Sequence, residues 1–168
     1  MTDLKSKEIR SEITSEGKLN LSIVTSDVPT PSDDEVLIKV EASPINPSDL
    51  GLLISFAADL DSISSQGSGD NTVTSMGIHP GLMQSMKPRI DKSMKVGNEG
   101  GGVIVDAGKN AKNLIGKTVG VAGGAMYSQY RCLPAMSCMV MNEGTTSAEA
   151  ASSFVNPLTA LGFTETMK

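Results

Sequence analysis

A glycine-rich run, Gly97-Asn98-Glu99-Gly100-Gly101-Gly102, is the first place in this 168-residue sequence to look for chemistry. The backbone N–H groups of such a run hold phosphate when it opens a helix whose N-terminus faces the anion. The dinucleotide pattern G-x-G-x-x-G is not met, because Val105 stands where the third glycine belongs. The β-branched Val103-Ile104-Val105 reads as strand, so these glycines are expected to permit close backbone packing. Gly116-Lys117-Thr118 resembles the tail of a P-loop, but Ala111 occupies the position of the earlier glycine and a strand follows. Gly116 is therefore expected in a turn. A metal centre needs convergent ligands, and the single histidine, His79, lies far in sequence from Cys132 and Cys138. The thiols have no histidine nearby, and Arg131 on a strand points away from Cys132, so both cysteines read as small buried hydrophobes. The remaining polar clusters are Asn46-Pro47-Ser48-Asp49 and Asn156-Pro157-Leu158-Thr159-Ala160.

These segments must be positioned by regular elements. Alternation of Ile9, Ser11 and Ile13, a Glu16-Gly17 turn, and alternation of Leu19, Leu21 and Ile23 predict a hairpin with one buried face. Val36 to Ala42 predicts a strand that Pro44 ends. Asn46 beside a proline at the first helical position is placed to cap a short helix running to about Ala58. Residues 59–75, rich in Ser, Gly and Asp, have the composition of a mobile insertion. The apolar spacing of Leu82, Met83, Met86 and Ile90 predicts a helix over 81–94, with Lys87, Arg89, Lys92 and Lys95 on its solvated face. Strands are predicted at 103–105, 118–121, 127–133 and 139–141, separated by glycine turns, which suits a barrel or sandwich. Thr146-Ser147-Ala148-Glu149 starts a helix by capping, and the helical period then continues to Met167 with Pro157 inside it.

Composition excludes several functions. The net charge is −5 and aromatic residues make up 3% of the chain, so neither a basic field nor a stacking platform for nucleic acid exists. No apolar run approaches the ~18 residues of a membrane span, and Met1 to Arg10 lacks the apolar stretch of a signal peptide. Two cysteines make no disulfide framework, which favours a cytoplasmic location. Residue by residue, the reading is a mostly-β (α+β) domain with an aliphatic core and a long carboxyl-terminal helix.

Several segments, in order, resemble the amino-terminal half of the medium-chain dehydrogenase/reductase superfamily. They are Asp34 to Val40, Ile45-Asn46-Pro47-Ser48-Asp49, Val96 to Ile104, Gly116-Lys117-Thr118-Val119, Tyr127-Ser128-Gln129-Tyr130, and Glu143 to Leu161 with its Asn-Pro-x-Thr-Ala. The resemblance implies a GroES-like β-barrel over 1–145, with an insertion at 55–95. It further implies a helix over 146–168 leading toward a nucleotide-binding domain that these residues do not contain. The positions matching the family's zinc ligands are Asn46, Asn98 and Asn156, so the likeness is to zinc-free quinone oxidoreductase-like and enoyl reductase-like branches. No tyrosine follows within Leu50 to Ala58, where enoyl reductases carry one.

The implied reaction is hydride transfer from NADPH or NADH to a carbonyl, quinone or activated alkene of a small-molecule substrate, without zinc. The implied catalytic residues are Asn46 and Ser48, whose amide and hydroxyl donate toward a substrate oxygen. The implied cofactor residues are Asn46, Asn156 and Thr159. The chain alone is expected to be inactive as a fragment of a longer reductase. Phe154, Val155, Leu158, Leu161 and Phe163, left without a second domain, are expected to pair two copies into a homodimer. The alternative is a stand-alone protein-interaction or structural module of the same fold.

Overall fold

The computed structural model describes residues 4–167. Among these residues ten strands form two five-stranded sheets in which neighbouring strands pair antiparallel. The first contains β1 (Lys5–Ile13), β2 (Lys18–Asp27), β4 (Ala58–Gln66), β5 (Val73–Ile78) and β6 (Met94–Lys95), in the order β4-β5-β2-β1-β6. The second contains β3 (Glu35–Ala42), β7 (Gly100–Ala107), β8 (Thr118–Val121), β9 (Tyr130–Pro134) and β10 (Cys138–Val140), in the order β10-β8-β7-β3-β9. The sheets meet where β1 bonds the segment entering β9: Ile9 N–H donates to Tyr127 O at 2.9 Å, and Gln129 N–H to Lys7 O at 2.9 Å. Two aliphatic cores result. One gathers Val36, Ile38, Ile104, Val119, Val121 and Met126 between the strands of the second sheet. The other gathers Ile13, Leu19, Ala57, Met76, Ile78 and Met86 beneath the first.

The alternating segments thus form the predicted strands, with one difference of face. Ile9 lies opposite Ile23 on an exposed surface, at 37% and 38% exposure, while Ser6 and Glu8 point inward. That inward position suits Glu8 because Arg10 and Lys95 reach it: Arg10 Nε donates to its carboxylate at 2.8 Å and Lys95 Nζ lies 3.0 Å away.

Residues 59–75, expected to be mobile, instead build β4 and the start of β5 and extend the first sheet. Their serines make cross-strand bonds that composition conceals: Ser62 Oγ accepts from Gly77 N–H at 2.7 Å, Ser65 Oγ lies 2.9 Å from Thr74 Oγ1, and Ser75 Oγ donates to Asn20 Oδ1 at 2.7 Å.

The helical segments are shorter than their periodicity predicts. The 46–58 segment makes one 3-10 turn, Pro47–Asp49, and then α1 (Leu50–Leu53), stopped by Ser55 at φ 55°. Over 81–94, prolines 80 and 88 divide the chain into a turn, α2 (Met83–Met86) and a second turn. Arg89 is not on a solvated face there. Its guanidinium donates to Gly51 O at 3.0 Å, Leu52 O at 3.1 Å and Ser11 Oγ at 3.1 Å, and so pins this segment to α1. The long carboxyl-terminal helix is two helices, α3 (Ser147–Ala151) and α4 (Val155–Thr166). The expected capping holds at α3, where Glu149 N–H donates to Thr146 Oγ1 at 3.2 Å and Thr146 N–H to the Glu149 carboxylate at 2.8 Å. Gly101 admits α3 onto β7, since a Cβ there would lie 2.5 Å from Ser147 O and 2.6 Å from Ala151 N. α4 leaves Leu158, Leu161 and Phe163 more than half exposed. Among the described residues no helix is long and apolar enough to cross a membrane.

Candidate functional site

The loop after β3 and the loop before β7 are locked together by one carboxylate. Asp49, 2% exposed, accepts from Asn46 N–H through Oδ2 at 2.8 Å and from Asn98 N–H through Oδ1 at 2.8 Å. Asp49 thereby holds the start of its own turn, as acidic residues do at that position. The Asn46 side chain, expected as the cap, is free to turn elsewhere. Gly97, at φ 93°, makes the second loop possible, because a Cβ there would collide with the Tyr127 ring at 2.5 Å. Tyr127 in turn donates its hydroxyl to Pro44 O at 2.9 Å. Burial pushes the Tyr127 phenol up to about 12, and the charge of Asp49 adds to the effect, so the hydroxyl stays protonated.

Glu99 is the centre of the arrangement and is fully buried. Its Oε1 accepts from Asn46 Nδ2 at 2.9 Å, and its Oε2 accepts from the N–H groups of Phe154 at 3.1 Å and Val155 at 3.0 Å. The N-terminus of α4 is thus capped from across the molecule by a negative charge, which its unpaired N–H groups and dipole favour. This anchoring falls at the break between α3 and α4. Asn156 follows at once and donates through Nδ2 to Asn46 Oδ1 at 3.4 Å. Ser48 is exposed and accepts from Asn98 Nδ2 at 2.9 Å, which leaves its own hydroxyl proton free to donate.

The structure therefore brings together Asn46, Ser48 and Asn156, along with Asn98. Thr159 stands apart, with its hydroxyl donating to Val155 O at 2.7 Å within α4. The cysteines hold no site: burial raises both thiols, Cys138 to about 11, and the nearby Glu35 adds to the rise at Cys132. Among the described residues no three His, Cys, Asp or Glu side chains form a metal-binding group.

No protein-family model matches the sequence, and no curated protein matches it. Solved structures do match. A candidate NADPH:quinone reductase from Mesorhizobium loti aligns with a TM-score of 0.62 at 23% identity, covering 98% of this chain and 45% of its own. A mycobacterial protein solved with NADPH aligns at 0.57 and 21%, covering 92% and 38%. The protein Etr1p, solved with NADP and crotonyl-CoA, aligns at 0.61 and 16%, covering 94% and 42%. The fold is the one these structures carry. It agrees with the family resemblance of the motifs, and the chain spans less than half the length of each structure it matches.

Asn156 presents an exposed amide, whereas Asn46 is 3% exposed and its amide is engaged on both sides, by Glu99 and by Asn156. Gly100, Gly101 and Gly102 lie in β7 and Gly116 lies in the turn before β8, the places the sequence predicts for them. Asp49, Asn98, Glu99 and Tyr127 are site residues to which motif reading gave no site role. Glu99 had a signal, a carboxylate beside three glycines entering a buried strand, where only paired charge is tolerated. Tyr127 had none.

Proposed function

We propose that this chain is the barrel part of a zinc-free, NAD(P)H-dependent reductase of GroES-like fold, acting on a small quinone, carbonyl or activated alkene. The observation that carries the reading is that buried Asp49 and Glu99 hold Asn46 and Asn98, which in turn bond Asn156 and Ser48. A donor set of amides and a hydroxyl suits hydrogen bonding to a substrate oxygen far better than ligation of zinc. When bound, the dinucleotide supplies hydride. Asn46 and Asn156 orient the nicotinamide end, and Ser48, its lone pair held by Asn98, donates its proton toward the substrate oxygen as negative charge develops. In this reading the phosphate end is held outside the described residues, and the chain alone is inactive. NADPH is the favoured cofactor because one structural neighbour was solved with it.

Titration of the 15N-labelled chain with reduced nicotinamide mononucleotide tests this. The expected result is shifts at Asn46, Ser48, Asn98 and Asn156 in the millimolar range, with none caused by adenosine monophosphate. Equal response to both halves, or response to neither, would refute the assignment.

The exposed Leu158, Leu161 and Phe163 of α4 support a second statement, that the chain pairs as a homodimer through this helix. Sedimentation that stays monomeric at high concentration argues against it. The same apolar helix is what favours the alternative of an interaction module, and recovery of a stoichiometric protein partner bound through α4, with no nicotinamide response, would select it.

A further inference from the structure

We infer that the carboxylate of Glu99 sets the direction of the Asn46–Asn156 amide pair, and that this direction makes the site select a carboxamide over a carboxylate. The ligand half of the inference rests on the nicotinamide reading above.

A carboxylate accepts hydrogen bonds and donates none. Glu99, with no exposure to water, therefore admits only the nitrogen of Asn46, and Nδ2 faces it at 2.9 Å. The oxygen of Asn46 is left facing Asn156, which donates to it through Nδ2 at 3.4 Å. The chain of bonds runs one way, from Asn156 through Asn46 to Glu99. Among the described residues no group donates to Oδ1 of Asn156, and its side chain is exposed. A ligand NH2 group satisfies that oxygen, whereas a ligand carboxylate meets it oxygen to oxygen. Glu99 is thus a positioning residue. It touches no ligand, but it decides whether the outermost amide offers an acceptor or a donor.

Glu99→Gln reverses the chain of bonds without opening space. The new amide oxygen accepts from Phe154 and Val155 N–H as before, and its nitrogen donates to Oδ1 of Asn46. Asn46 then gives its own Nδ2 to Asn156, which turns NH2 outward. Adding Asn46→Asp restores the original direction, because a carboxylate at position 46 accepts from both neighbours and Asn156 must donate again.

The test uses the full 15N-labelled chain in three forms: wild type, E99Q and E99Q/N46D. Without ligand, the side-chain NH2 resonances of Asn156 should move in E99Q and return in the double variant, while the backbone amides of Phe154 and Val155 stay in place. With ligand, wild type should bind nicotinamide mononucleotide about tenfold more tightly than nicotinic acid mononucleotide, the difference expected of one hydrogen bond made or opposed. That ratio should fall to about one or invert in E99Q and recover in E99Q/N46D. Unmoved Asn156 resonances, no recovery in the double variant, or failure of E99Q to fold would overturn the proposal, since the reversed chain leaves every donor satisfied. If the resonances move and return but neither mononucleotide binds, the amide direction stands. The selection of a carboxamide and the nicotinamide reading then fall together.

Discussion

Asp49→Asn is the substitution that most directly tests how the site is built. The wild-type carboxylate accepts two backbone N–H bonds, from Asn46 and Asn98, each at 2.8 Å and at a side chain 2% exposed. The amide keeps one acceptor. Whichever way it turns, its NH2 group faces the other N–H. The variant thus loses one charge-assisted bond, worth roughly 1.5–3 kcal/mol, and leaves a buried donor opposed. A net loss of about 3 kcal/mol is expected, or about 6–12 °C in Tm for a domain of this size. Urea unfolding at pH 7 measures it. A second readout is independent of stability: removing the Asp49 charge should lower the Tyr127 phenol from about 12, while burial keeps it above 10.0, as followed by the absorbance of tyrosinate. A stability change below ~0.5 kcal/mol, together with an unmoved Tyr127 titration, would refute the claim that Asp49 ties the two loops.

Other consequences follow from the same geometry. Burial raises the Glu8 carboxyl, but hydrogen bonds and charge from Lys95 and Arg10 outweigh it and hold the group below 4.5. Its contribution to stability is therefore full above about pH 4.5 and lost as pH falls through the lower folded value. Glu8→Gln should accordingly flatten the acid limb of a pH–stability curve below that point, and an unchanged limb would contradict the pairing. Gly101→Ala places a Cβ 2.5 Å from the backbone of α3 and should cost about 3 kcal/mol by thermal unfolding. Arg89→Met removes the guanidinium bonds to Gly51 O, Leu52 O and Ser11 Oγ, leaving Leu52 O to the Ser11 hydroxyl alone, and should cost roughly 1–2 kcal/mol, with increased amide exchange in α1.

The strands were legible from β-branched residues at alternate positions, as at Val36, Ile38 and Val40 and at Val119 and Val121, although Leu37 and Gly120 between them are buried as well. Alternation did not reveal which face. Ile9 and Ile23 look like core residues until Glu8, with its two cations, claims the inside of β1. Helical spacing misled at 46–58, 81–94 and 146–168 for local reasons: a left-handed Ser55, Pro88, and the pull of Glu99 on the amides of Phe154 and Val155. The low-complexity 59–75 segment gave no alternation of apolar residues because its register is held by serine hydroxyls. Of the site, Asn46, Ser48 and Asn156 were reachable through family resemblance, although 110 residues separate the first from the last. Thr159 was not held in the cluster, because a hydroxyl on a helix readily returns to the carbonyl four residues earlier. Glu99, which orients the amides, carried only the signal of a carboxylate entering a buried strand, and its partners Phe154 and Val155 emerge from the packing.

The join between the sheets has a consequence for how the chain comes to be folded. Strand β1 closes the sheets against a segment made much later, since Lys7 bonds Gln129, 122 residues away. The β1–β2 hairpin can zip up early, yet the backbone groups of Lys7 and Ile9 on its outer edge must wait for the segment entering β9. Such long-range closure makes refolding a matter of milliseconds to seconds rather than microseconds. It also makes nascent chains that end before about residue 130 the ones most in need of a chaperone. Stopped-flow refolding in the microsecond range, or protease resistance of β1 in chains released before that point, would show that the join is not the late step.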